Sequence, residues 1–333
     1  MALPLALTMG EPAGIGGEIA LKAWLDLRAD LPPFYLIDDP DRLASLARRL
    51  DWPVPIRPID APDRAPPVFA DALPVLPIDT AIRAQPGRPD PGDAPAILGA
   101  IQTAVRDVRN GRAAALVTNP IHKESLYRAG FRHPGHTEYL AELAGADAAP
   151  IMMLVCPGLR VVPVTIHLAL RRAIESLSSA AIVRAGRITD AALRREFAVS
   201  SPILAVAGLN PHAGEAGNLG REEIEIIEPA LTQLRAGGID ARGPLPPDTM
   251  FHADARNSYD AALCMYHDQA LIPIKTIDFY GGVNVTLGLP FVRTSPDHGT
   301  ALAIAGRGTA RSDSLIAALR LAAELAARRS AGS

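Results

Sequence analysis

At 333 residues, 48% hydrophobic and 21% charged, the chain is long enough to bury a large core and form two domains, and its composition excludes wholesale disorder. Its 33 Lys plus Arg against 36 Asp plus Glu leave a formal charge of −3, without the basic excess a nucleic-acid backbone demands. No apolar run reaches the roughly 20 residues needed to span a bilayer, and the opening MALPLALTMGEP lacks the basic start and long apolar core of a secretion signal.

In chain order, PLALTM, GEPAGIGGEIA and ALKAWLDL read as a short apolar strand, a Gly-rich turn and an amphipathic helix. FYLID at 34–38 is the next strand. Residues 51–95, rich in Pro, Asp and Ala, read as loops with short strands such as LPVLPI. A helix is expected over 94–110, ending at Gly111, followed by the apolar strand AAALVT at 113–118. Further apolar strands, each followed by a helix, are expected at 150–155, 161–166, 203–209 and 261–266. Continuous apolar runs fit strands covered on both faces, so the expected fold is α/β with a mainly parallel sheet. A helix over 220–237, acidic at its start, and an Ala-rich closing helix over 314–329 complete the pattern. Cys156 and Cys264 lie in apolar segments and read as buried free thiols, as in a cytoplasmic protein.

Three of the eight histidines share one kind of position. His167 follows VVPVTI, His212 follows ILAVAGLNP, and His267 follows AALCMY. Each falls at or just past the end of an apolar strand, where α/β sheets place ligands. Spacings of 45 and 55 residues make no local metal motif, but three imidazoles from strand ends can meet around one divalent ion. Asp248 and Asp268 are available as ligands or as acceptors that orient the rings. Each histidine taken singly is equally well read as a satisfied polar residue near a loop.

Other polar groups interrupt apolar or structured segments. His136 opens a helix running toward Leu143, and Thr137 is a candidate cap whose helix end can receive a phosphate. Lys275 in LIPIK and Arg293 in LPFVRTS close apolar stretches, as surface charges or anion binders. Asn284, between Val283 and Val285, needs either a substrate or neighbouring backbone as its partner. Gly14, Gly16 and Gly17 suggest a cofactor turn, but Ile19 stands where the dinucleotide fingerprint needs a glycine, and no GK[ST] follows. DHGTALAIAGRG at 297–308 is a second Gly-rich loop, either a turn or a cradle for adenosine or pyrophosphate.

GEPAGIG, PIHK, GHTEYL, GLNPHAGEAG, GPLPPDT, MYHDQ and VNVTLGLPFVRTSPDHGTA follow one another along nearly the whole chain. With them the sequence closely resembles the 4-hydroxythreonine-4-phosphate dehydrogenase family of pyridoxal phosphate biosynthesis. That resemblance implies a two-lobed, three-layer α/β/α fold like that of isocitrate and isopropylmalate dehydrogenases. A cofactor-side lobe would comprise 1–125 and 280–333, and a metal-binding and dimerisation lobe 125–280. It implies His167, His212 and His267 as metal ligands, and His136, Thr137, Lys275, Asn284 and Arg293 as substrate-binding, with Lys275 and His136 the catalytic candidates. Gly14, Gly16, His298, Gly299 and Thr300 would serve the cofactor, NAD or NADP. Gly17 departs from the related GxGIGPE turn, which has proline there.

The implied reaction oxidises the C3 hydroxyl of 4-phosphooxy-L-threonine and releases carbon dioxide, giving 3-amino-2-oxopropyl phosphate. One divalent ion (zinc, cobalt, magnesium, manganese or nickel) would stabilise the alkoxide and then the enolate. Lys275 would transfer a proton or orient the substrate. A homodimer is implied, its active sites open to completion across the interface. Rival readings are a paralogous dehydrogenase of phosphothreonate or phosphoerythronate, an enzyme of cyclic diol carboxylates, and a non-catalytic metabolite sensor.

Overall fold

The computed structural model describes residues 3–133, 135–145 and 149–331. The chain opens with β1 (Leu5–Thr8), α1 (Gly16–Leu27), β2 (Phe34–Asp38), α2 (Pro40–Arg49), β3 (Ile56–Pro58), α3 (Ala65–Val68) and β4 (Leu73–Pro77). Next come α4 (Ala94–Arg109), β5 (Leu116–Thr118), α5 (Lys123–Arg128) and α6 (His136–Ala144). The middle holds β6 (Ile151–Cys156), β7 (Leu159–Pro163), α7 (Leu170–Ser176), α8 (Ser179–Arg195), β8 (Ile203–Ala207), α9 (Glu228–Ala236) and β9 (Asp240–Leu245). The last part holds α10 (Ala253–Arg256), β10 (Ala261–Cys264), α11 (His267–Ile277), β11 (Val283–Leu287), β12 (Arg293–Pro296) and α12 (Asp313–Ala331).

These elements pack as two compact units, Met1–Pro150 with Leu289–Ala327, and Ile151–Gly288 with Arg328–Ser333. Both seams fall later than the lobe boundaries expected at 125 and 280. The first does so because Leu126 of α5 and Tyr139, Leu140 and Ala144 of α6 are buried in the same cluster as Ile97 and Ile101 of α4. Leu289 and Phe291 join that cluster too, which holds the segment before β12 in the first unit.

In the first unit the strands run in the order β3-β4-β2-β1-β5-β12, all parallel. Every residue of β1, β2, β5 and β12 is buried, as strands covered on both faces must be. The second unit has the order β11-β6-β7-β10-β8-β9 and is mixed rather than parallel. There β6 runs antiparallel to both β11 and β7. The apolar runs near 150 and 161 were expected to be separated by a helix; instead Pro157–Gly158 joins them in a two-residue hairpin, with Gly158 at φ 76°. The remaining strands, β7, β10, β8 and β9, are parallel.

Leu154, Val161, Ala205, Met250, Cys264 and Ile274 belong to the second unit's buried core. Cys156 and Cys264 are free thiols within it, and burial pushes the Cys156 thiol up to about 11. Among the described residues no helix is long and apolar enough to cross a membrane.

Candidate active site

In the second unit, the parallel neighbours β7, β10 and β8 lead at their C-terminal ends to His167, His267 and His212 respectively. The ends are tied by buried hydrogen bonds. Thr165 Oγ1 donates to Met265 O at 2.8 Å, Met265 N to Gln269 Oε1 at 2.6 Å, and Gln269 Nε2 to Gly208 O at 2.8 Å. The rings of His167 and His267 lie 5.8 Å apart, centroid to centroid, and line a pocket of about 220 Å³ with Thr165, Tyr266 and Asp268. His267 Nδ1 stands 2.7 Å from Asp268 Oδ1, a contact that orients the ring and leaves Nε2 for another partner.

Two imidazole nitrogens sharing one ion at about 2.0–2.1 Å each bring their rings to this kind of separation, so the pair fits a divalent metal. His212 is placed differently. It lies exposed in the Pro211–Gly217 segment after β8, where His212, Ala213, Glu215 and Ala216 all have φ between 44° and 55°. Each such non-glycine residue costs about 1–2 kcal/mol. Buried Glu223 braces the approach to this turn: Oε1 accepts from Leu209 N and Asn210 N, both at 2.7 Å, and Oε2 from Asn210 Nδ2 at 2.9 Å. Among the described residues no three His, Cys, Asp or Glu side chains already stand together as an ion site. The fold preassembles the His167–His267 pair.

Lys275 does not end a strand, as LIPIK suggests; it sits in the last turn of α11, which runs on through Pro273. Its position eight residues after His267 places it about 12 Å further along the helix axis, and its Nζ lies 5.2 Å from the Phe279 ring centre. Asn284 is in β11 opposite Leu154, with Oδ1 sealed from solvent and lacking a hydrogen-bond partner.

The first unit builds a different set of groups. Gly14 lies so close to Thr300 that an added Cβ would come 2.8 Å from its carbonyl oxygen, and Ile15 N donates to that same oxygen at 3.0 Å. The two Gly-rich segments, far apart in sequence, thus meet at Gly14 and Thr300, while Gly16 begins α1. His298 Nδ1 lies 3.0 Å from Gly299 O, and Gly299 is exposed. At position 17 a proline would crowd Arg42 and Leu43 of α2; a Cβ there already meets them at 3.1 and 3.2 Å. The glycine is therefore explained by helix packing.

Glu18 fastens the second Gly-rich segment. Fully buried, it accepts from Gly306 N at 2.7 Å and from Ala310 N at 3.1 Å. Glu18→Ala leaves two buried N–H groups without an acceptor and is expected to cost about 2 kcal/mol of stability. Chemical denaturation reads this directly, and an unchanged midpoint would show that the contact contributes nothing.

Thr137 does not cap α6. Gly135 takes the capping position, without a side chain to offer, so the first-turn N–H groups have no side-chain cap. His136 begins that helix with Nε2 sealed and without a partner. Burial chiefly, then the positive charges of Arg293 and Lys123, hold its pKa well below the usual histidine range. Arg293, 4% exposed, donates from Nε and Nη2 to Thr118 Oγ1 at 3.1 and 2.6 Å. Burial pulls its pKa down to about 10, so the guanidinium remains charged at neutral pH.

Sequence reasoning missed Thr118, Glu11, Thr8 and Asn119, which gather where β1 and β5 end. Asn119 Nδ2 donates to Thr8 O at 3.0 Å, and Glu11 N to Pro120 O at 2.8 Å. Thr8 Oγ1, Glu11 Oε2 and Asn119 Oδ1 are sealed without partners, and burial raises the Glu11 pKa. Polar residues closing two apolar strands were the available signal.

Polar groups collected at the C-terminal ends of buried parallel strands, on helix-flanked sheets, define an α/β protein of the enzyme kind. Residues 31–322 match the family described as Pyridoxal phosphate biosynthetic protein PdxA. The chain belongs to that family. It is 57% identical over 338 residues to a 4-hydroxythreonine-4-phosphate dehydrogenase of Bradyrhizobium diazoefficiens, covering 98% of each chain. It superposes on the crystal structure of a 4-hydroxythreonine-4-phosphate dehydrogenase from Klebsiella pneumoniae with a TM-score of 0.87 at 37% identity, covering 98% of this chain and 100% of the other. A terephthalate 1,2-cis-dihydrodiol dehydrogenase from Burkholderia xenovorans is more distant, at 27% identity and a TM-score of 0.64, covering 97% and 98%.

Proposed function

We propose that the chain oxidises the C3 hydroxyl of 4-phosphooxy-L-threonine with NAD or NADP as acceptor, and that decarboxylation gives 3-amino-2-oxopropyl phosphate for pyridoxine 5′-phosphate formation. The observation that carries this reading is full-length likeness, at 57% identity, to a relative named 4-hydroxythreonine-4-phosphate dehydrogenase.

His167 and His267, with His212 as third donor, would hold a divalent ion. When bound, NAD supplies a hydride acceptor, and the ion supplies positive charge that favours ionisation of an alcohol and the enolate left by decarboxylation. Arg293 would hold anionic substrate oxygens, whether phosphate or carboxylate, its buried charge favouring an anion over a neutral group. The uncapped start of α6 at His136 and Thr137 offers backbone donors to the same kind of group. The low pKa of His136 leaves its ring neutral at neutral pH, able to donate or accept a hydrogen bond. Lys275 is assigned proton transfer or hydroxyl orientation, and Asn284 Oδ1 accepts a hydrogen bond from substrate.

Gly14, Gly16, His298, Gly299 and Thr300 would form the cofactor side, a role supported by the meeting of Gly14 with Thr300. On this reading the fold is that of isocitrate and isopropylmalate dehydrogenases, with the first unit on the cofactor side and the second serving metal binding and dimerisation. A homodimer is supported by large apolar side chains more than half exposed in the second unit: Leu168, Leu170, Ile272, Phe279 and Tyr280.

The deciding assay follows reduced cofactor with 4-phosphooxythreonine, phosphothreonate and phosphoerythronate, each with NAD and with NADP. The expected result is the highest kcat/KM for 4-phosphooxythreonine, with NAD serving well. Faster turnover of either sugar acid would replace the substrate assignment, and turnover with none of the three would remove it.

A further inference from the structure

Gln269 is nearly buried and engages both ends of its amide with backbone on two different strand exits. Its Oε1 accepts from Met265 N, two residues before His267, and its Nε2 donates to Gly208 O, four residues before His212. The partners leave no freedom in the amide's orientation: a backbone N–H requires the oxygen, and a carbonyl requires the nitrogen. Thr165, two residues before His167, adds the bond to Met265 O that ties the third exit to the same point. A chain of three hydrogen bonds therefore links the departures of β7, β10 and β8, each just ahead of a histidine.

We propose that Gln269, assisted by Thr165, is a positioning residue that sets the spacing of the three histidine-bearing strand exits and thereby the affinity of the chain for a divalent cation. The inference rests on the reading of His167, His212 and His267 as metal ligands. The strands end at Pro163, Cys264 and Ala207, and the last backbone bonds beyond them run from Val164 N to Cys264 O and from Gly208 N to Leu245 O, both 2.8 Å. A tie made past the last ladder bond extends that registration to the segments that carry the imidazoles. Gln269 approaches no ligand itself; it acts through backbone, as outer groups that orient metal ligands do.

The test titrates metal-stripped protein with Co²⁺, following the cobalt absorption bands. Gln269→Met keeps the side chain's length and removes both hydrogen bonds, and it is expected to weaken Co²⁺ binding about 10- to 100-fold. Turnover at saturating Co²⁺ should return toward that of the unaltered chain. Tyr259→Phe serves as control, because it deletes a 2.8 Å bond to Met250 O in the same unit that ties none of the three strand exits together, and should leave Co²⁺ affinity unchanged. If Gln269→Met does not fold, the near-isosteric Thr165→Val carries the test, with a several-fold loss expected. No Co²⁺ binding by the unaltered chain would overturn the metal reading itself. Binding there that is equal in the Gln269 or Thr165 variant, or equally weakened in Tyr259→Phe, would overturn the positioning role alone.

Discussion

Replacing His167 or His267 with alanine is expected to lower turnover about a thousandfold, because a site of this type contributes several kcal/mol of charge stabilisation and each 1.4 kcal/mol is tenfold in rate. The two rings face one pocket from adjacent parallel strands, and their separation suits one shared ion. On the proposed reading, loss of either ring removes a ligand while leaving the sheet below intact, so unfolding midpoints measured without metal should move little. Metal per subunit, measured beside turnover with and without excess metal, separates weak binding from lost chemistry. His122→Ala is the comparison, its Nδ1 lying 2.7 Å from Ser125 Oγ and no ligand role being assigned to it. Full metal occupancy with near-normal turnover in both histidine variants would end the shared-ion reading. His212→Ala asks a separate question, whether its exposed segment supplies a third donor.

Arg293→Ala is expected to lower kcat/KM for a phosphorylated substrate about a hundredfold, in line with 1.5–3 kcal/mol for a hydrogen bond to a charged group. The guanidinium is buried and braced by Thr118, so its fork is already oriented before any anion arrives. Arg293→Lys keeps a charge without the planar fork and should recover only part of the loss. The effect should fall mainly on KM, with metal content unchanged. With the guanidinium pKa drawn down to about 10, the cation is present below that pH and lost above it. KM should therefore rise as pH climbs through about 10. Unchanged catalytic efficiency in Arg293→Ala would remove this residue from the substrate site.

The doubly covered strands were legible because burial on both faces leaves a short, unbroken apolar run, as in FYLID and AALC. The strand β9 was not, since DARGPL is a half-exposed edge strand with charges and a Gly-Pro pair. LIPIK misled for a related reason: Leu, Ile and Pro in close succession imitate a strand end, whereas tertiary packing carries α11 through them. The strand-end histidines were visible as a pattern, and the structure brings two of them together. Gln269, Thr118 and Glu18 were invisible, because each acts on a partner 61, 175 or 288 and more residues away. Such pairings exist only after the chain has folded.

The first unit draws on two stretches of the chain far apart in sequence, up to Pro150 and from Leu289 to Ala327, and this sets the order in which a nascent polypeptide can mature. β12 pairs beside β5, and Glu18 awaits Gly306 and Ala310. At about 5–20 residues per second, the ribosome needs roughly 7 to 30 seconds to pass from residue 150 to that segment. During that interval β5 has an open edge, with its backbone groups ready to pair with a foreign strand. Nearly all of the second unit has by then been made and can collapse on its own core. The portion synthesised first is thus the last to close, and it waits on the arrival of β12 and of Gly306 and Ala310.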